Sequence, residues 1–571
     1  MSDQARFQND WKTDIAANQE TALEEALSQL AEAHDRQSCI SLQDRIRLCE
    51  QCLAGVIHAA PEWAESGARG KGCPGERGVL AEEMLGGPVV VARQLWLTIQ
   101  TLQALNSERS PMLPAQAAVN PDGITEVPVF PTRGVFDSLT FMGLSGAVRM
   151  LPDIGPDNIH GNRLSSVREG LYAGITGVLG AGNVSSIPAT DSLNRIMFEG
   201  RRVLLKLNPV NDYLLGSFEA AFAPLIQADL LRIIRGGGEI GHSLVHDQRI
   251  SDVHITGSTA THDAIVWGSD PAEQTERRQN HNPLLQKPVT SELGNVTPWI
   301  IVPGTYSGRQ LKSQAAHVAA SITNNVSFNC LATKAILTWD RWEQRDEFLS
   351  LLRARLAETP QRPAYYPGAT ERFRRYSAQN IEPDDRNLLP WTVLDSQSID
   401  ERPELFQEES FVCVCAETPL SAKSPEDFLA TATAFVNDRM HGTLCCSLTL
   451  PNSFQRQQTR AFHASLNQLR YGSICVNQWS GLAYGFTSPP WGAYPGATLE
   501  HVESGIGSVH NTYLLDGFEK TILAGPLINF PKPVWFPAHR KALEIAQGLL
   551  HLYDNPSAIR LPSLFWSALT G

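Results

Sequence analysis

The chain contains 571 residues, of which 42% are hydrophobic and 19% charged, and its formal net charge is −13. This length exceeds the size at which a single hydrophobic core usually stops growing, so we expect at least two domains. The acidic balance argues against a nucleic-acid partner, because nucleic-acid binding needs a basic face that displaces counterions.

The cysteines indicate a reducing compartment. Ten of them are scattered through the chain, and the start, MSDQARFQNDWKTD, has no apolar segment typical of a secretory signal. We therefore expect reduced thiols and a cytoplasmic location rather than a disulfide framework. Cys49 and Cys52 form a CxxC, but no second Cys or His pair stands at zinc spacing, so we predict no metal site. No apolar run reaches the roughly 18 residues of a membrane-spanning helix.

The first part of the chain predicts helices followed by a short β segment. Apolar residues recur at helical spacing through IAANQETALEEALSQLAEAHD and VVVARQLWLTIQTLQAL, with the loop GARGKGCPGERG between them. From residue 127 to 154 the pattern changes to the β-like runs EVPVF, GVFDSLTFMG and GAVRML, broken by Pro and Gly. We expect short strands there.

After Gly170, strands and helices alternate. AGITGVLG, RVLLKLN, LLRIIRGG, DVHITGS and PWIIVPG are typical of short buried strands. A second alternating block follows residue 325 through KAILTWD, FVCVCAE, TLCCSLTL and SICVNQ. Such alternation predicts parallel pairing in open, doubly wound sheets. We therefore predict an α/β protein with two doubly wound domains and the ligand cleft between them.

The tail beyond residue 527 is rich in Pro, Trp and Phe and contains one amphipathic segment, HRKALEIAQGLLHLY. A packed C-terminal extension or a subunit-contact arm is the favoured interpretation. A peripheral membrane contact is the less favoured alternative, since the segment is basic only at its start and aromatic residues follow it.

Taken separately, the motifs in the middle of the chain are weak. GGGEIG at 236–241 departs from the dinucleotide pattern GxGxxG, and TGST at 256–259 is compatible with a plain strand-to-helix turn. Glu292, in SELGN, is compatible with a surface carboxylate. Cys330, in SITNNVSFNC, is compatible with a buried structural thiol, the commoner fate of an isolated cysteine.

The order of the motifs carries more information than any one of them. In chain order they are GAGN with Asn183, LLKLN with Lys206, TGS with Gly257 and Ser258, SELGN with Glu292, NNVSFNC with Cys330, and QEESF with Glu409 and Phe411. Over roughly residues 171–523 the series resembles the aldehyde dehydrogenase superfamily, as do NDRMHGTL and PPWGAYPG.

The resemblance implies a domain plan. An NAD(P)-binding domain would comprise residues 1–126 and 155–290, and a catalytic domain residues 291–508. A small β oligomerisation arm would comprise 127–154 and 509–526, with 527–571 as a C-terminal extension. The arm implies a homodimer or homotetramer, because exposed edge strands tend to be paired.

The resemblance also implies the chemistry. Cys330 stands at the position of the nucleophile that adds to an aldehyde and then carries a thioester. Asn183 matches the amide that, with the backbone N–H of Cys330, stabilises the oxyanion. Glu292 stands at the place of the general base that activates water.

Cofactor contacts carry over in the same way. Lys206 resembles the lysine that bonds the adenosine ribose or a 2′-phosphate, and Gly257 and Ser258 resemble the turn at which a pyrophosphate meets a helix start. Glu409 resembles the carboxylate that holds the nicotinamide ribose, and Phe411 the ring beside the nicotinamide. Gly294, in the glutamate motif, completes the predicted cofactor contacts, with NAD or NADP as the cofactor.

Three departures from the family pattern leave alternatives open. Pro209 stands where NAD-preferring members commonly place a glutamate, which makes NADP plausible. The long segment between Ser258 and Glu292 contains Arg277 and Arg278, either as a solvated surface excursion, which is favoured, or near a phosphate. The sequence SFNC before the nucleophile resembles CoA-acylating branches. Glu292 favours water as the acyl acceptor, with CoA second.

An entrance lined by Trp479, Leu482, Tyr484, Phe486 and Trp491 indicates an apolar aldehyde, medium- or long-chain or aromatic. The alternative is that several of these rings pack the domain interface. A non-catalytic nucleotide-binding or interaction protein is the alternative of another class, and the joint presence of Asn183, Glu292 and Cys330 disfavours it.

Overall fold

The computed structural model describes residues 3–37 and 39–571, and the elements given below are those of this part of the chain. The domain predicted to start at residue 1 therefore has positions 1, 2 and 38 outside the described residues. The first helices are α1 Asp3–Arg36, α2 Leu42–Gly70, α3 Arg77–Met84 and α4 Val90–Asn106. Ser41 begins α2 by accepting a hydrogen bond from the Asp44 N–H at 3.0 Å. Helix α2 continues through Gly70, so the Gly/Pro-rich loop is shorter than predicted.

The β segment follows as β1 Ala118–Val119, β2 Thr125–Phe130, α5 Asp137–Thr140, β3 Ser145–Met150 and α6 Arg163–Glu169. EVPVF and GAVRML form strands as predicted, but the prediction is wrong for GVFDSLTFMG, which contains the short helix α5. The physical reason is Asp137, whose buried carboxylate accepts hydrogen bonds from the Thr132 N–H at 2.9 Å and from the Arg93 guanidinium at 2.7 and 2.8 Å. These bonds stabilise a turn instead of a strand.

A parallel sheet occupies residues 175–292. Its elements are β4 Ile175–Leu179, α7 Ile187–Phe198, β5 Arg202–Lys206, α8 Leu215–Ala221, α9 Ala223–Gln227, β6 Leu231–Ile234, α10 Gly238–His246, β7 Ile250–Thr256, α11 Thr259–Val266, α12 Pro271–Gln279 and β8 Val289–Glu292. The strands pair in the order β8-β7-β4-β5-β6. Strand order therefore reverses around β4, as in doubly wound sheets.

A second sheet begins immediately afterwards. Its elements are β9 Pro298–Ile301, α13 Gly308–Thr323, β10 Ala335–Trp339, α14 Arg345–Glu358, α15 Ala369–Ser377, β11 Thr392–Leu394, α16 Glu404–Gln407, β12 Val414–Leu420, α17 Pro425–Asp438, β13 Cys445–Thr449, α18 Asn452–Gln457, α19 Thr459–Gln468, β14 Ser473–Val476 and α20 Gly481–Phe486. Parallel pairing gives the order β14-β13-β9-β10-β12-β11. Both predicted α/β units are thus present.

The late strands connect the parts of the molecule. They are β15 Pro490–Trp491, β16 Gly505–Ile506, β17 Val509–His510 and β18 Phe518–Ala524. Strand β18 pairs in parallel with β14 and antiparallel with β3, so the β segment extends the second sheet of its own chain to the order β1-β2-β3-β18-β14-β13-β9-β10-β12-β11. Strand β16 returns to the first sheet, where Gly505 lies opposite Glu292.

The chain ends in the helices α21 Ala542–Asp554 and α22 Leu561–Thr570. The amphipathic helix is present as α21, and it buries Ile545, Leu549 and Tyr553 in the core that the N-terminal helices share with the first sheet. Within residues 3–37 and 39–571, no helix is both long and apolar enough to cross a membrane.

Candidate active site

The predicted nucleophile and base lie in contact. Glu292 is the last residue of β8, and Cys330 lies in the loop between α13 and β10. The Cys330 thiol donates to Glu292 Oε1 with Sγ and Oε1 3.6 Å apart. The first sheet therefore supplies the carboxylate and the second domain supplies the thiol.

The backbone before Cys330 is strained. Asn325, Val326 and Ser327 have φ values of 49°, 55° and 65°, in the left-handed region that a β-branched side chain such as valine rarely adopts. Such residues cost about 1–3 kcal/mol each and persist only where surrounding contacts hold them. Lys334 supplies such contacts, because its ammonium donates to the carbonyls of Ser327 at 2.9 Å and Val412 at 2.8 Å.

Burial and neighbouring charges shift the pKa values of both Glu292 and Cys330. Burial, together with the charge of Asp191, raises the pKa of Glu292 to about 8, while a hydrogen bond from the Trp491 indole to Oε2 at 2.8 Å acts in the opposite direction. Burial, together with the carboxylates of Glu292 and Glu409, raises the pKa of the Cys330 thiol well above its usual value. The thiol is therefore protonated at neutral pH, and Glu292 beside it accepts a proton only when its own carboxyl is ionised, which becomes the major form above a pH of about 8.

Asn183 follows β4 and lies against the nucleophile loop. Its side-chain amide donates to the Phe328 carbonyl at 3.2 Å, and the Asn325 amide donates to the same oxygen at 2.9 Å. An amide carries two N–H groups. The bond to Phe328 orients the Asn183 amide and engages one of its two N–H groups.

A buried ion pair that sequence reasoning missed supports this arrangement. Lys71 donates to Glu83 at 2.5 Å, to Asn325 Oδ1 at 2.8 Å and to the Asn183 carbonyl at 3.2 Å. Both charged side chains are buried. Lys71 is 112 positions from Asn183 and 254 from Asn325 along the chain. The sequence therefore shows only a single lysine in a Gly/Pro-rich loop and does not indicate its partners.

The predicted adenosine-side residues lie along the carboxyl edge of the first sheet. Lys206 ends β5, and burial lowers its pKa to about 8. Its ammonium donates to the Leu207 carbonyl at 3.3 Å and has no carboxylate partner among residues 18–37 and 39–571, the part of the chain with described side chains. Ser258 caps α11 by accepting from the Thr261 N–H at 3.1 Å, and Gly257 beside it faces open space.

The predicted nicotinamide-side residues lie on the second domain. Glu409 accepts a hydrogen bond from the Asn295 N–H at 3.2 Å, and burial raises its pKa to about 7. A Cβ on Gly294 would come within 2.6 Å of Glu409 Oε2, so a larger residue there would displace the Glu409 carboxylate. Phe411 packs edge-on against Tyr366 with ring centroids 5.0 Å apart. The predicted cofactor residues thus divide between the two domains.

A cavity of about 620 Å³ opens onto Cys330 and Glu292. Of the five side chains predicted at the substrate entrance, Trp479 and Tyr484 line this cavity. Trp491 instead holds Glu292. The remaining two pack elsewhere: Phe486 stacks on Phe130 with centroids 3.9 Å apart, and Leu482 lies in the core.

The two arginines between Ser258 and Glu292 are engaged locally. Arg277 pairs with Glu273 at 2.8 Å on α12, and Arg278 pairs with Asp263 at 2.5 Å. These contacts favour the surface interpretation of the segment. In the described part of the chain, no group of three or more His, Cys, Asp or Glu side chains converges as a metal site.

Solved structures share this architecture at low sequence identity. An aldehyde dehydrogenase from Pseudomonas aeruginosa, KauB, is 15% identical, with a TM-score of 0.57 over 88% of this chain and 89% of that one. An NAD-dependent aldehyde dehydrogenase from Sinorhizobium meliloti is 16% identical, with a TM-score of 0.58 over 90% and 88%. An NADP-dependent enzyme from E. coli is 15% identical, with a TM-score of 0.57 over 88% and 90%.

These similarities establish the fold. The chain has the fold of aldehyde dehydrogenases over about nine-tenths of its length. No protein-family model matches the sequence, and no curated protein matches it.

Proposed function

We propose that this protein is an NAD(P)-dependent aldehyde dehydrogenase that oxidises an apolar aldehyde to the carboxylic acid through a thioester on Cys330. The observation that carries the proposal is the contact between Cys330 Sγ and Glu292 Oε1 at 3.6 Å, within a cavity that also reaches the loop held by Asn183. A thiol, a base and an amide donor at one point are the groups that acyl-thioester chemistry requires.

The first step joins the substrate to the thiol. Glu292 accepts the thiol proton, and the sulfur adds to the carbonyl carbon as the carbonyl electron pair moves to oxygen. The other N–H of the Asn183 amide and the backbone N–H of Cys330 then stabilise the oxyanion. The fixed orientation of the amide matters because a donor already aligned needs no reorganisation during the reaction.

When bound, a nicotinamide cofactor would accept the hydride of the former aldehyde carbon, which leaves a thioester on Cys330. Glu292 releases the thiol proton to solvent and, again a carboxylate, takes a proton from water, and the resulting hydroxide attacks the thioester carbon. The carbon–sulfur bond breaks, the thiolate recovers a proton, and the carboxylate leaves. One aldehyde, one oxidised cofactor and one water thus give one carboxylate, one reduced cofactor and two protons.

The residues present fit such a cofactor. Lys206 offers a buried ammonium that has no carboxylate partner among the side chains that the structure describes, and Gly257 leaves space at the start of α11 for an anion. Pro209 supplies no carboxylate that would repel a 2′-phosphate. We infer use of both NAD and NADP, with NADP favoured. A strong preference for NAD in steady-state kinetics would contradict the inferred preference for NADP.

The lining of the cavity supports an apolar substrate, medium- or long-chain or aromatic. Trp479 and Tyr484 contribute rings, and Val184, Ile187 and Leu331 contribute aliphatic surface. Apolar area removed from water contributes about 25 cal/mol per Å², so longer chains gain affinity. The test is a chain-length series, in which the highest kcat/KM for acetaldehyde would contradict the proposal.

Transfer of the acyl group to CoA is the second candidate, on account of the SFNC sequence before β10. Glu292 in contact with Cys330 favours water, since a base is needed for hydrolysis and not for attack by a thiolate. Product analysis with and without CoA separates the two reactions. A non-catalytic protein would form no reduced cofactor with any aldehyde, as measured by near-ultraviolet absorbance. Cys330→Ala is the control expected to be inactive. Cys39→Ser, which changes an exposed cysteine, is the control expected to stay active.

For assembly we propose a homodimer or homotetramer in the cytoplasm. Strand β18 already pairs with β14 of its own chain, and we propose that a second copy pairs with the edge strand β1, whose residues are exposed. Light scattering of the full chain tests this proposal. A monomer at micromolar concentration would contradict it.

A further inference from the structure

The C-terminal extension is held at two separate places. Near its start, Gln314 donates to the Leu527 carbonyl at 2.9 Å, and Gln478 donates to Asn529 Oδ1 at 2.9 Å. Farther on, Glu544 of α21 pairs with Arg77 of α3 at 2.9 Å. The stretch between these attachments, residues 530–541, therefore runs from the second domain to the N-terminal helices.

This connecting stretch crosses the cavity of Cys330. The extension lines that cavity with Val534, Trp535, Phe536, Pro537, His539 and Ala542. Trp535 packs against the apolar cluster that Cys330 and Val184 also contact. The extension and the nucleophile thus border the same space of about 620 Å³.

The wall formed by residues 534–542 is braced against the helix that leads to the nucleophile. His317 lies on α13, and its ring centroid is 4.8 Å from that of Phe536 and 6.2 Å from that of Trp535. The Lys532 ammonium donates to the Ala538 carbonyl at 3.0 Å. Because α13 ends just before the Cys330 loop, the wall keeps a set position relative to the thiol.

The cationic side chains around the cavity are paired with carboxylates. Among the described residues, each lysine and arginine that lines it has a carboxylate partner: Lys71 with Glu83, Arg362 with Glu82, and Arg77 with Glu544. A paired cation has little attraction left for an anionic substrate. The cavity therefore favours a neutral, apolar body.

We propose that residues 534–542 are part of the substrate site, in which Trp535 and Phe536 select aldehydes by the size of their apolar body. This inference rests on the proposed aldehyde oxidation. It assigns to the extension a role in specificity, because removal of either ring takes apolar contact from a long substrate and leaves a short one unaffected.

The first test compares propanal with decanal. In Trp535→Ala and Phe536→Ala, kcat/KM for decanal should fall about tenfold, the change expected for roughly 1.4 kcal/mol of lost apolar contact, while kcat/KM for propanal changes less than about twofold. The matched controls are Trp566→Ala and Phe530→Ala, at exposed positions of the same extension, which should leave both substrates unchanged. Equal changes for propanal and decanal, or no change for either, would overturn the proposal.

A second test does not depend on oxidation. Val534→Trp narrows the cavity, so alkylation of Cys330 by N-phenylmaleimide should slow about tenfold relative to N-ethylmaleimide, as followed on the Cys330 peptide. Ile528→Trp, at an exposed site outside the cavity lining, is the control. If folded Val534→Trp keeps the wild-type ratio of the two alkylation rates, residues 534–542 do not border the approach to Cys330 and the proposal is wrong. If the ratio changes but the protein oxidises no aldehyde, residues 534–542 still line the cavity of Cys330, and the proposed aldehyde oxidation is wrong.

Discussion

The hydrogen bond from Trp491 to Glu292 lowers the pH at which this buried carboxyl becomes a base. The indole donates to Oε2 at 2.8 Å, while Oε1 faces the Cys330 thiol. Trp491→Phe removes the donor and keeps a ring in the fully buried site. A hydrogen bond to a charged group contributes about 1.5–3 kcal/mol, and one pKa unit corresponds to about 1.4 kcal/mol. The loss should therefore raise the pKa of Glu292 by roughly 1–2 units.

The direction of the pKa shift depends on which form of Glu292, the carboxylate or the acid, the Trp491 hydrogen bond stabilises. The donor favours the carboxylate, so its loss favours the protonated acid, and the base form then appears only at higher pH. Thioester hydrolysis in the wild type should rise with pH through an inflection near 8, the pKa of Glu292, and the inflection should move upward in Trp491→Phe. Single-turnover hydrolysis against pH measures it.

Trp299→Phe is the matched control. Its indole is equally buried, but it donates to Thr449 Oγ1 at 2.9 Å and not to Glu292. This variant should lose stability without moving the inflection. An inflection in Trp491→Phe that stays at the wild-type pH or moves below it would show that this hydrogen bond does not favour the Glu292 carboxylate.

Three further outcomes are expected. Asn183→Ala should lower kcat about 10²–10³-fold while leaving alkylation of Cys330 unchanged, and a fall in alkylation of the same size would indicate collapse of the loop instead. Lys71→Met should destabilise the fold by about 3–5 kcal/mol in denaturant unfolding, because Glu83 is left buried and unpaired, and an unchanged midpoint would contradict this. Lys206→Met should raise KM more for NADP than for NAD, since a 2′-phosphate loses an ammonium partner, and equal effects would remove Lys206 from that role.

Most of the fold was predictable because its signals are local. Runs such as VLLKLN and DVHITGS form buried parallel strands, and in a doubly wound sheet the residues that follow such strands meet at one edge. Asn183, Lys206, Gly257 and Glu292 each lie at or just after the end of a strand, so their grouping followed from the alternation of elements.

The parts that were missed depend on distant partners. Asp137 turns GVFDSLTFMG into a helix through Arg93, which is 44 positions away. The Lys71 ion pair and the path of residues 534–542 across the cavity likewise rest on contacts between separate segments. Hydrophobic periodicity reports only which face of an element is buried, and it carries no record of such partners.

The most direct test of the account is mass spectrometry of Glu292→Gln after mixing with cofactor and an apolar aldehyde and quenching in acid. Without Glu292 the Cys330 thiol loses its proton only to solvent, which slows formation of the thioester, but hydrolysis loses its base as well. The thioester should therefore accumulate slowly, and the peptide containing Cys330 should gain the mass of one acyl group as one reduced cofactor forms. The account is contradicted if reduced cofactor forms while the Cys330 peptide keeps its original mass.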